Sequence, residues 1–407
     1  MIKKVKIEQL KPGVFVHDFN CDWRSSNLVA SQMLVRDRKL IDVLHSLGIH
    51  EVYIDTDRGD DIDAAMPQIE AQRQTEQALK SLATSKPAHA RAIPLSEEIA
   101  VARNIKKQAV TVIEKAMDNV RQGKPLETEG AFQLVDKMQK SVSRNPDALV
   151  LLTRIRNKDE YTLMHSISVA AYVLNFCSVN KLSQQETLSI AIGALFHDIG
   201  KTKIPLSILN KPGKLDDNEF EEMKRHSEYS AEILRQAQEL PPETMDIALH
   251  HHERFDGNGY PHRLKGDEIQ FGTQLTSLAD VYDAITSDRV YRDGMDRVEG
   301  LKKMYEWSEY HFNKQLTYDF IRSIGVYPLG TCVKLESALI GVVVGSSENL
   351  LQPVVRIFYD DSRKVNIPAH ELDLSKTDDR VAGYEDQAKW NIAEMDIFED
   401  VASELLY

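Results

Sequence analysis

The chain has few cysteines for its length. Three occur in 407 residues, Cys21, Cys177 and Cys332, and no two of them form a CxxC pair. This spacing argues against a disulfide framework, a zinc knuckle and a thioredoxin-like redox site. We therefore expect buried, reduced thiols.

The sequence also lacks long apolar runs and stretches of positive charge. No apolar segment approaches the roughly 18 residues of a membrane-spanning helix, and the basic N-terminus leads into the polar pair Glu8-Gln9 rather than into the apolar region of a secretory signal. The net charge is -13, which disfavours non-specific binding to nucleic acid and to anionic membranes. These features predict a cytoplasmic protein that neither binds DNA nor inserts into a membrane, and an anionic substrate would need a local cationic site.

What is present is the composition of a globular protein with more than one domain. Hydrophobic residues make up 42% and charged residues 28% of the chain, as in ordinary soluble proteins. A length of 407 residues favours two or three domains. The patterns below predict a multidomain chain with an all-α central domain, a small N-terminal α+β module and a small C-terminal β module.

Residues 1–66 are predicted to form the α+β module. Two short strands flank the turn at 11–13 and suggest a hairpin. Apolar residues between 40 and 47 recur with helical spacing and end at Gly48, and 51–55 returns to a β-branched, extended pattern.

The rest of the chain divides into three regions that differ in composition and in the spacing of their apolar residues. Residues 67–140 are predicted to be a helical connector, interpreted either as a solvated spacer or as a dimerising or signal-transmitting helix. Residues 141–325 are helical in pattern, and Thr187–Phe196 is apolar almost all round, as in a central buried helix. We expect this region to fold and act without its flanks. Residues 326–407 return to a period of two and predict a small β module.

Histidines are concentrated in the central region. Seven of the 13 fall between positions 165 and 262: His165, His197, His226, His250, His251, His252 and His262. A single histidine on a helix is more often structural than a ligand. However, the pair His197-Asp198 follows the most apolar helix of the chain, where buried polar groups are costly unless they are paired or bound to metal. With Asp280 they offer a mixed nitrogen and oxygen site that suits Fe, Mn or Zn, and the Asp198 carboxylate is suited to bridge two ions.

Four segments follow one another in the order and spacing of the HD-GYP family. They are YTLMHS at 161–166, FHDIGK at 196–201, HHERFDGNGYP at 251–261 and LADVYDAITSDR at 278–289. The central region resembles this family, and the third segment is a strong match by itself. The N-terminal module, with KPG at 11–13 and EVYIDT at 51–56, is similar to an uncharacterised domain often found upstream of HD-GYP domains. The C-terminal module resembles tails seen in the same subgroup.

The resemblance implies an all-α HD-type catalytic domain that binds two metal ions. Asp198 would bridge them, with His165, His197 and Asp280 on one ion and His226, His251 and His252 on the other. Some family members hold a third ion through a Glu at the position of Tyr161, so the sequence favours a binuclear site. His226 stands in HSEYS, where the family usually has His-Pro followed by Gly. Because the ligands mix imidazole with carboxylate and include no thiolate, we expect iron or manganese.

Cationic residues near these motifs are candidates for binding an anionic substrate. Lys201 follows Asp198 by three positions, Arg289 ends the fourth segment, and Arg292 lies three positions beyond it. Each can bind phosphate oxygens, and an arginine can span two of them. A solvated surface position is the alternative for each cation. We assign catalytic roles to Asp198 and Lys201 and substrate binding to Lys201 and both arginines.

Two further residues are expected at the substrate. Asp283 lies one helical turn after Asp280, where it is suited either to orient a ligand or to contact the phosphate side. Gly259 is predicted to adopt an unusual backbone angle and Pro261 to fix the exit of the turn, which holds Tyr260 in one place. The resemblance implies that this loop borders the substrate and that Tyr260 contacts the nucleotide.

The residues predict phosphodiester hydrolysis without a protein nucleophile. Two ions about 3.5 to 4 Å apart can share a hydroxide, lower its pKa and hold a phosphate for in-line attack at phosphorus. The resemblance supplies the substrate, cyclic di-GMP. It leaves open whether hydrolysis stops at linear pGpG or continues to GMP, whether diguanylate cyclase (GGDEF) domains are partners, and whether the protein is a homodimer. One alternative is a weakly active or inactive signalling module that binds a cyclic dinucleotide or a cyclase partner, and another is an HD-type hydrolase of nucleoside phosphates.

Overall fold

The computed structural model describes residues 1–21, 32–84, 93–154, 161–237, 240–287, 294–347 and 349–390. An N-terminal antiparallel sheet, a long helical region and a C-terminal antiparallel sheet follow one another along the chain. This order confirms the predicted multidomain class. Over the described ranges, none of the helices combines the length and the apolar character needed to span a membrane.

The N-terminal sheet has five strands in the order β3-β2-β4-β1-β5. The elements of this module are β1 Ile2–Lys6, β2 Phe15–Asp18, β3 Met33–Leu34, α1 Arg38–Ser46, β4 Glu51–Asp55 and β5 Met66–Pro67. The predicted helix and the strand at 51–55 are confirmed. The predicted hairpin is wrong because β4 pairs with both β1 and β2 and lies between them, and a 3-10 turn at Ile7–Gln9 separates the two strands.

Three connector helices follow, and they are packed rather than solvated. They are α2 Gln68–Ala83, α3 Leu95–Arg121 and α4 Glu129–Arg144. One side of α3 is buried at helical spacing through Ile99, Ala102, Ile105, Ala109 and Ile113, and this side packs on α4 and on the next two helices. The interpretation of this segment as a solvated spacer is therefore wrong.

Ten helices, in the described part of the chain, form the central region. They are α5 Pro146–Arg154, α6 Tyr161–Val179, α7 Gln184–Phe196, α8 Leu206–Leu209, α9 Asp217–Lys224, α10 His226–Gln236, α11 Pro242–His250, α12 Phe271–Thr286, α13 Arg297–Trp307 and α14 Lys314–Ile324. A capping box of Ser183 and Glu186 begins α7. Every residue from Ser189 to Phe196 is buried, and α6, α11 and α12 pack around this helix. The predicted central buried helix is confirmed.

The C-terminal sheet has the strand order β10-β6-β7-β8-β9. Its strands are β6 Cys332–Leu335, β7 Leu339–Gly345, β8 Val354–Asp360, β9 Val365–Asp373 and β10 Val381–Tyr384. The first three match the segments of period two at 331–336, 338–344 and 353–359, whereas β9 was missed because most of its residues are exposed and lack an apolar alternation.

The apolar core crosses the predicted domain boundaries. Val333 and Val343 of the C-terminal sheet belong to the same buried cluster as the connector and central helices. The N-terminal sheet has a separate core. The boundaries at 66, 140 and 325 stay predictions. Two of the cysteines are buried as expected, and burial raises the pKa of the Cys177 and Cys332 thiols to about 12.

Candidate metal centre and substrate cleft

Seven buried side chains converge into two adjoining groups. One group is His165, His197 and Asp280, and the other is Asp198, His226, His251 and His252. They come from α6, α10 and α12 and from the turns that follow α7 and α11. Within each group the ligand-type atoms lie within 4.8 Å of one another. The structure thus brings together all seven residues that were predicted as metal ligands.

Asp198 stands between the two groups and turns one carboxylate oxygen toward each. Its Oδ2 lies 3.2 Å from His197 Nε2 and 3.7 Å from His165 Nε2. Its Oδ1 lies 3.3 Å from His226 Nε2 and 3.8 Å from His251 Nε2. Because α7 ends at Phe196, two residues before Asp198, this buried helix delivers the carboxylate to the meeting point of the two groups.

The hydrogen bonds of the histidines decide which ring nitrogen faces the centre. Three Nδ1 atoms lie near backbone carbonyls: His197 at 2.7 Å from Ala194 O, His226 at 2.6 Å from Met223 O and His251 at 3.0 Å from Ala248 O. A carbonyl only accepts, so each Nδ1 carries the proton and donates. The Nε2 lone pairs are therefore directed toward the centre, as metal ligation requires.

The electrostatics of the centre keep some imidazoles neutral and the carboxylate charged. Burial lowers the pKa of His226 to about 4, and burial together with the charge of His197 places the pKa of His251 well below its usual range. Burial by itself would raise the pKa of Asp198, but Lys201 and His197 outweigh it and hold that pKa well below its ordinary value. A neutral imidazole beside an ionised carboxylate is the protonation state that binds a metal.

Some buried atoms of this centre lack a hydrogen bond within the described residues. His197 Nε2 and Asp198 Oδ1 are fully buried without one, although both lie close to other ligand-type atoms. A buried polar atom left in this way is costly unless an ion completes its contacts. The donor set, its burial and these two atoms fit divalent metal ions.

Asp283 lies behind the centre rather than beside the substrate. Its Oδ2 is 2.7 Å from His165 Nδ1 and its side chain is 2% exposed. This contact orients the ring of His165, whose Nε2 lies 3.0 Å from Asp280 Oδ1. The assignment of Asp283 to substrate binding is therefore not supported, whereas the alternative weighed from the sequence, a carboxylate that orients a ligand, matches the contact.

Of the three predicted cationic residues, the structure describes the position of Lys201 only. Lys201 Nζ lies 2.5 Å from Asp198 Oδ2, and 25% of its side chain is exposed. It thus touches the carboxylate between the two groups. Arg289 and Arg292 fall in 288–293, outside the described residues. The side chain of Tyr161 is also outside what the structure describes.

A cleft of about 630 Å³ opens beside the second group of ligands, within the roughly 300–1,000 Å³ typical of small-molecule sites. Its lining includes His252, Tyr260, Phe220, Lys224, Arg263 and Leu47. The Tyr260 ring packs against His252 at a tilt of 36° with centroids 4.7 Å apart, and Lys224 Nζ lies 5.7 Å from the Tyr260 centroid. Tyr260 therefore lies between His252 and the cleft, and its contact with the nucleotide stays a prediction.

The turn that presents Tyr260 depends on a close approach of backbone. The expected unusual angle at Gly259 is wrong, since its φ lies outside the left-handed region. A Cβ on this residue would instead meet Glu253 Cα and Arg254 N at 2.4 Å. The Glu253 carboxylate accepts from the His262 amide at 2.6 Å, which holds the chain on the far side of Pro261. Only glycine allows this fold-back.

Several cleft residues were not found from the sequence. Lys224 and Phe220 lie on α9, which shows no motif. Arg263 follows the HHERFDGNGYP segment by two positions, a signal that was available, and its guanidinium makes no ion pair with another described residue. His250 and His262, counted among the clustered histidines, pair with each other at 2.9 Å outside the two ligand groups.

Comparisons with known proteins agree with this site. An HD domain model matches residues 134–316, and the domain of unknown function DUF3391 matches residues 2–131. The first match contains all seven residues of the centre. The second matches the N-terminal sheet together with most of the connector.

Proteins that are similar in sequence to this chain are named as phosphodiesterases. A cyclic di-GMP phosphodiesterase of Pseudomonas aeruginosa is 35% identical over 400 residues, which cover 97% of this chain and 95% of that protein. A 3'3'-cGAMP-specific phosphodiesterase of Vibrio cholerae is 36% identical over 167 residues, 41% of this chain and 32% of that protein. A solved HDG"Y"P protein from Bdellovibrio bacteriovorus aligns with 79% of this chain and 98% of its own at a TM-score of 0.45 and 16% identity. With its GYP segment, its HD domain and a relative that matches almost end to end, the chain belongs to the HD-GYP family of HD-domain phosphodiesterases.

Proposed function

We propose that this protein hydrolyses cyclic di-GMP at two divalent metal ions, iron or manganese, and releases linear pGpG, with GMP as a further product. Such a reaction lowers the level of the second messenger. The relative that matches nearly the whole chain is named for this substrate. Contact with diguanylate cyclase domains and homodimerisation stay predictions.

One observation carries the two-metal part of the proposal. The two oxygens of Asp198 face two different groups of buried nitrogen ligands, at 3.2 Å on one side and 3.3 Å on the other. A carboxylate placed in this way is suited to bridge two ions. His165, His197 and Asp280 would hold one ion, and His226, His251 and His252 the other. Bound ions would supply an activated hydroxide and charge stabilisation at phosphorus.

The chain's own residues prepare the site for an anionic substrate. Lys201 neutralises part of the charge on Asp198 and reaches solvent. Lys224 and Arg263 add positive charge to the cleft, and the guanidinium of Arg263 is suited to bind two phosphate oxygens. The Tyr260 ring offers a face on which a guanine base can stack. Arg289 and Arg292 remain proposed phosphate contacts.

Metal analysis combined with turnover tests the proposal. Protein purified without oxygen should contain two ions per chain by elemental analysis and convert cyclic di-GMP to pGpG. Because a relative in the same family is named for 3'3'-cGAMP, this nucleotide should be assayed in parallel. Faster turnover of 3'3'-cGAMP would overturn the substrate assignment while leaving the metal centre intact.

Asp198→Asn tests the bridging role. An amide keeps the shape but loses the charge that binds two cations, so metal content should fall and turnover should be abolished. The matched control is Asp246→Asn, since Asp246 also contacts a histidine, His250 at 2.9 Å, but lies outside both groups. Equal turnover in Asp198→Asn and the parent protein would exclude the two-metal mechanism.

A further inference from the structure

The N-terminal module contacts the loop that presents Tyr260. We call residues 253–261 the GYP loop. The Arg254 guanidinium donates to Gly48 O at 2.9 Å and to Asp256 Oδ2 at 2.6 Å. The same Asp256 Oδ2 lies 3.0 Å from His50 Nε2. Two residues of the module thus bind two residues of the GYP loop, in an environment where the Asp256 and His50 side chains are only 11% and 18% exposed.

His50 is fixed on both sides of this contact. Its carbonyl accepts from the Ile7 amide at 2.8 Å, which ties it to the 3-10 turn that follows the first strand of the module. Its ring stacks on Tyr310 at 4.1 Å between centroids. The next residue, His311, accepts from the Phe255 amide of the GYP loop at 2.9 Å. His50 is therefore linked to the loop both directly and through the turn after α13.

The N-terminal module packs closely against the GYP loop at Gly48. Gly48 has a φ of 70, and a Cβ there would meet Arg254 Nη2 at 2.7 Å and Asn258 Nδ2 at 2.9 Å. A second attachment lies on α13, where Trp307 Nε1 donates to Asn20 O at 2.9 Å and Tyr53 donates to Glu306 at 3.0 Å. The module is therefore packed on the central region at two places.

The same face of the module borders the cleft. Ser46 and Leu47, at the end of α1, line it together with Tyr260 and His252. We propose that the N-terminal module is a wall of the substrate cleft and holds the GYP loop in place, with His50 as a positioning residue for Tyr260. The proposal relies on the proposed function for the identity of the substrate, but the contact itself does not depend on it. Displacement of the module by another molecule would then change substrate binding without touching the metal ligands.

His50→Ala in the full chain tests this inference. Loss of the Asp256 contact should speed amide hydrogen exchange in the GYP loop, where the amides of Phe255, Gly257 and Tyr260 are hydrogen-bonded. It should also raise KM for cyclic di-GMP by about 3- to 10-fold, as expected for one lost hydrogen bond, with a smaller change in kcat and no change in metal content. His50→Gln, whose amide can still donate to Asp256, should restore part of the effect.

The matched control is His17→Ala, in the same sheet. His17 Nδ1 contacts Gln32 of its own module at 3.2 Å, so this change should leave exchange of the GYP loop and KM unchanged. If His50→Ala does not fold, Asp256→Asn weakens the contact from the other side, because the amide removes the negative charge that His50 and Arg254 share.

The outcomes separate the two proposals. Unchanged exchange of the GYP loop in a folded His50→Ala or Asp256→Asn protein would overturn the inference. Failure of the parent protein to hydrolyse cyclic di-GMP would instead overturn the proposed substrate, and the exchange data would still decide whether the module holds the loop.

Discussion

At the scale of single residues, Lys201 stands beside the carboxylate that joins the two groups of ligands. Its ammonium lies 2.5 Å from Asp198 Oδ2 while part of its side chain stays exposed. A cation in this place can stabilise both the ionised carboxylate and negative charge that develops on a phosphate. Sequence reasoning assigned it to catalysis and substrate binding; the contact with Asp198 adds a role in holding the ligand.

Lys201→Ala separates these roles. We expect the metals to stay bound, because seven ligand side chains remain, and kcat/KM to fall by the equivalent of about 2 to 4 kcal/mol, as when other preorganised donors are removed. Lys203→Ala is the matched control, since Lys203 pairs with Glu232 at 2.8 Å near the surface. Elemental analysis and steady-state kinetics measure the two effects. If the variant loses metal but binds substrate normally, the role of Lys201 is only to hold Asp198 in place.

At the scale of elements, the packing of α6 on α12 sets the geometry of the first group. His165 on α6 meets Asp280 at Nε2 and Asp283 at Nδ1, and these two carboxylates lie one turn apart on α12. Burial by itself would lower the pKa of His165, but its hydrogen bonds with Asp280 and Asp283 outweigh burial and raise it. One helix therefore offers both a ligand and the group that orients the neighbouring ligand.

Asp283→Ala tests the orienting role. Removing the partner of a ligand histidine should weaken metal affinity by roughly 10- to 100-fold, and excess metal should restore much of the turnover with little change in KM. Asp283→Asn keeps an acceptor for His165 Nδ1 and should lose less affinity. Titration of the metal against activity measures both. A raised KM at saturating metal would instead indicate that Asp283 contributes to substrate binding.

At the scale of the whole molecule, the apolar core joins regions that the sequence treated as separable. Ile105 and Ile113 of α3 lie in one buried cluster with Leu149, Phe196 and Val343. A cut near residue 131 or 327 would therefore expose apolar surface that the intact protein buries. The separate folding expected for the central region does not follow from this arrangement.

Two fragments test that conclusion. Residues 131–327 should be poorly soluble or lower in melting temperature, because α3 and the C-terminal sheet no longer cover their partners. Residues 67–407 keep this core and lose only the N-terminal sheet, which has its own core; they should fold and bind metal. Soluble yield, metal content and thermal unfolding are the measurements. A stable, metal-loaded fragment 131–327 would show that the shared core is dispensable.

The sequence by itself determined the positions of the motifs that resemble the HD-GYP family, the buried helix that ends at Phe196 and the order of the three regions. These features depend on residue type and on local periodicity, and both can be read along the chain. The place of Tyr260 beside the centre was also predictable, since the GYP segment adjoins His251 and His252.

Only the tertiary structure decided which groups surround those ligands. The contact between His165 and Asp283 joins residues 118 positions apart, and the contact between Gly48 and Arg254 joins residues 206 apart. Neither pair carries a local signal, because the distance between them is set by how helices and modules pack. For the same reason Lys224 on α9 and Leu47 at the end of α1 were found only once the cleft was formed. The chain thus specifies its chemistry locally, whereas the shape and support of the site arise from long-range packing.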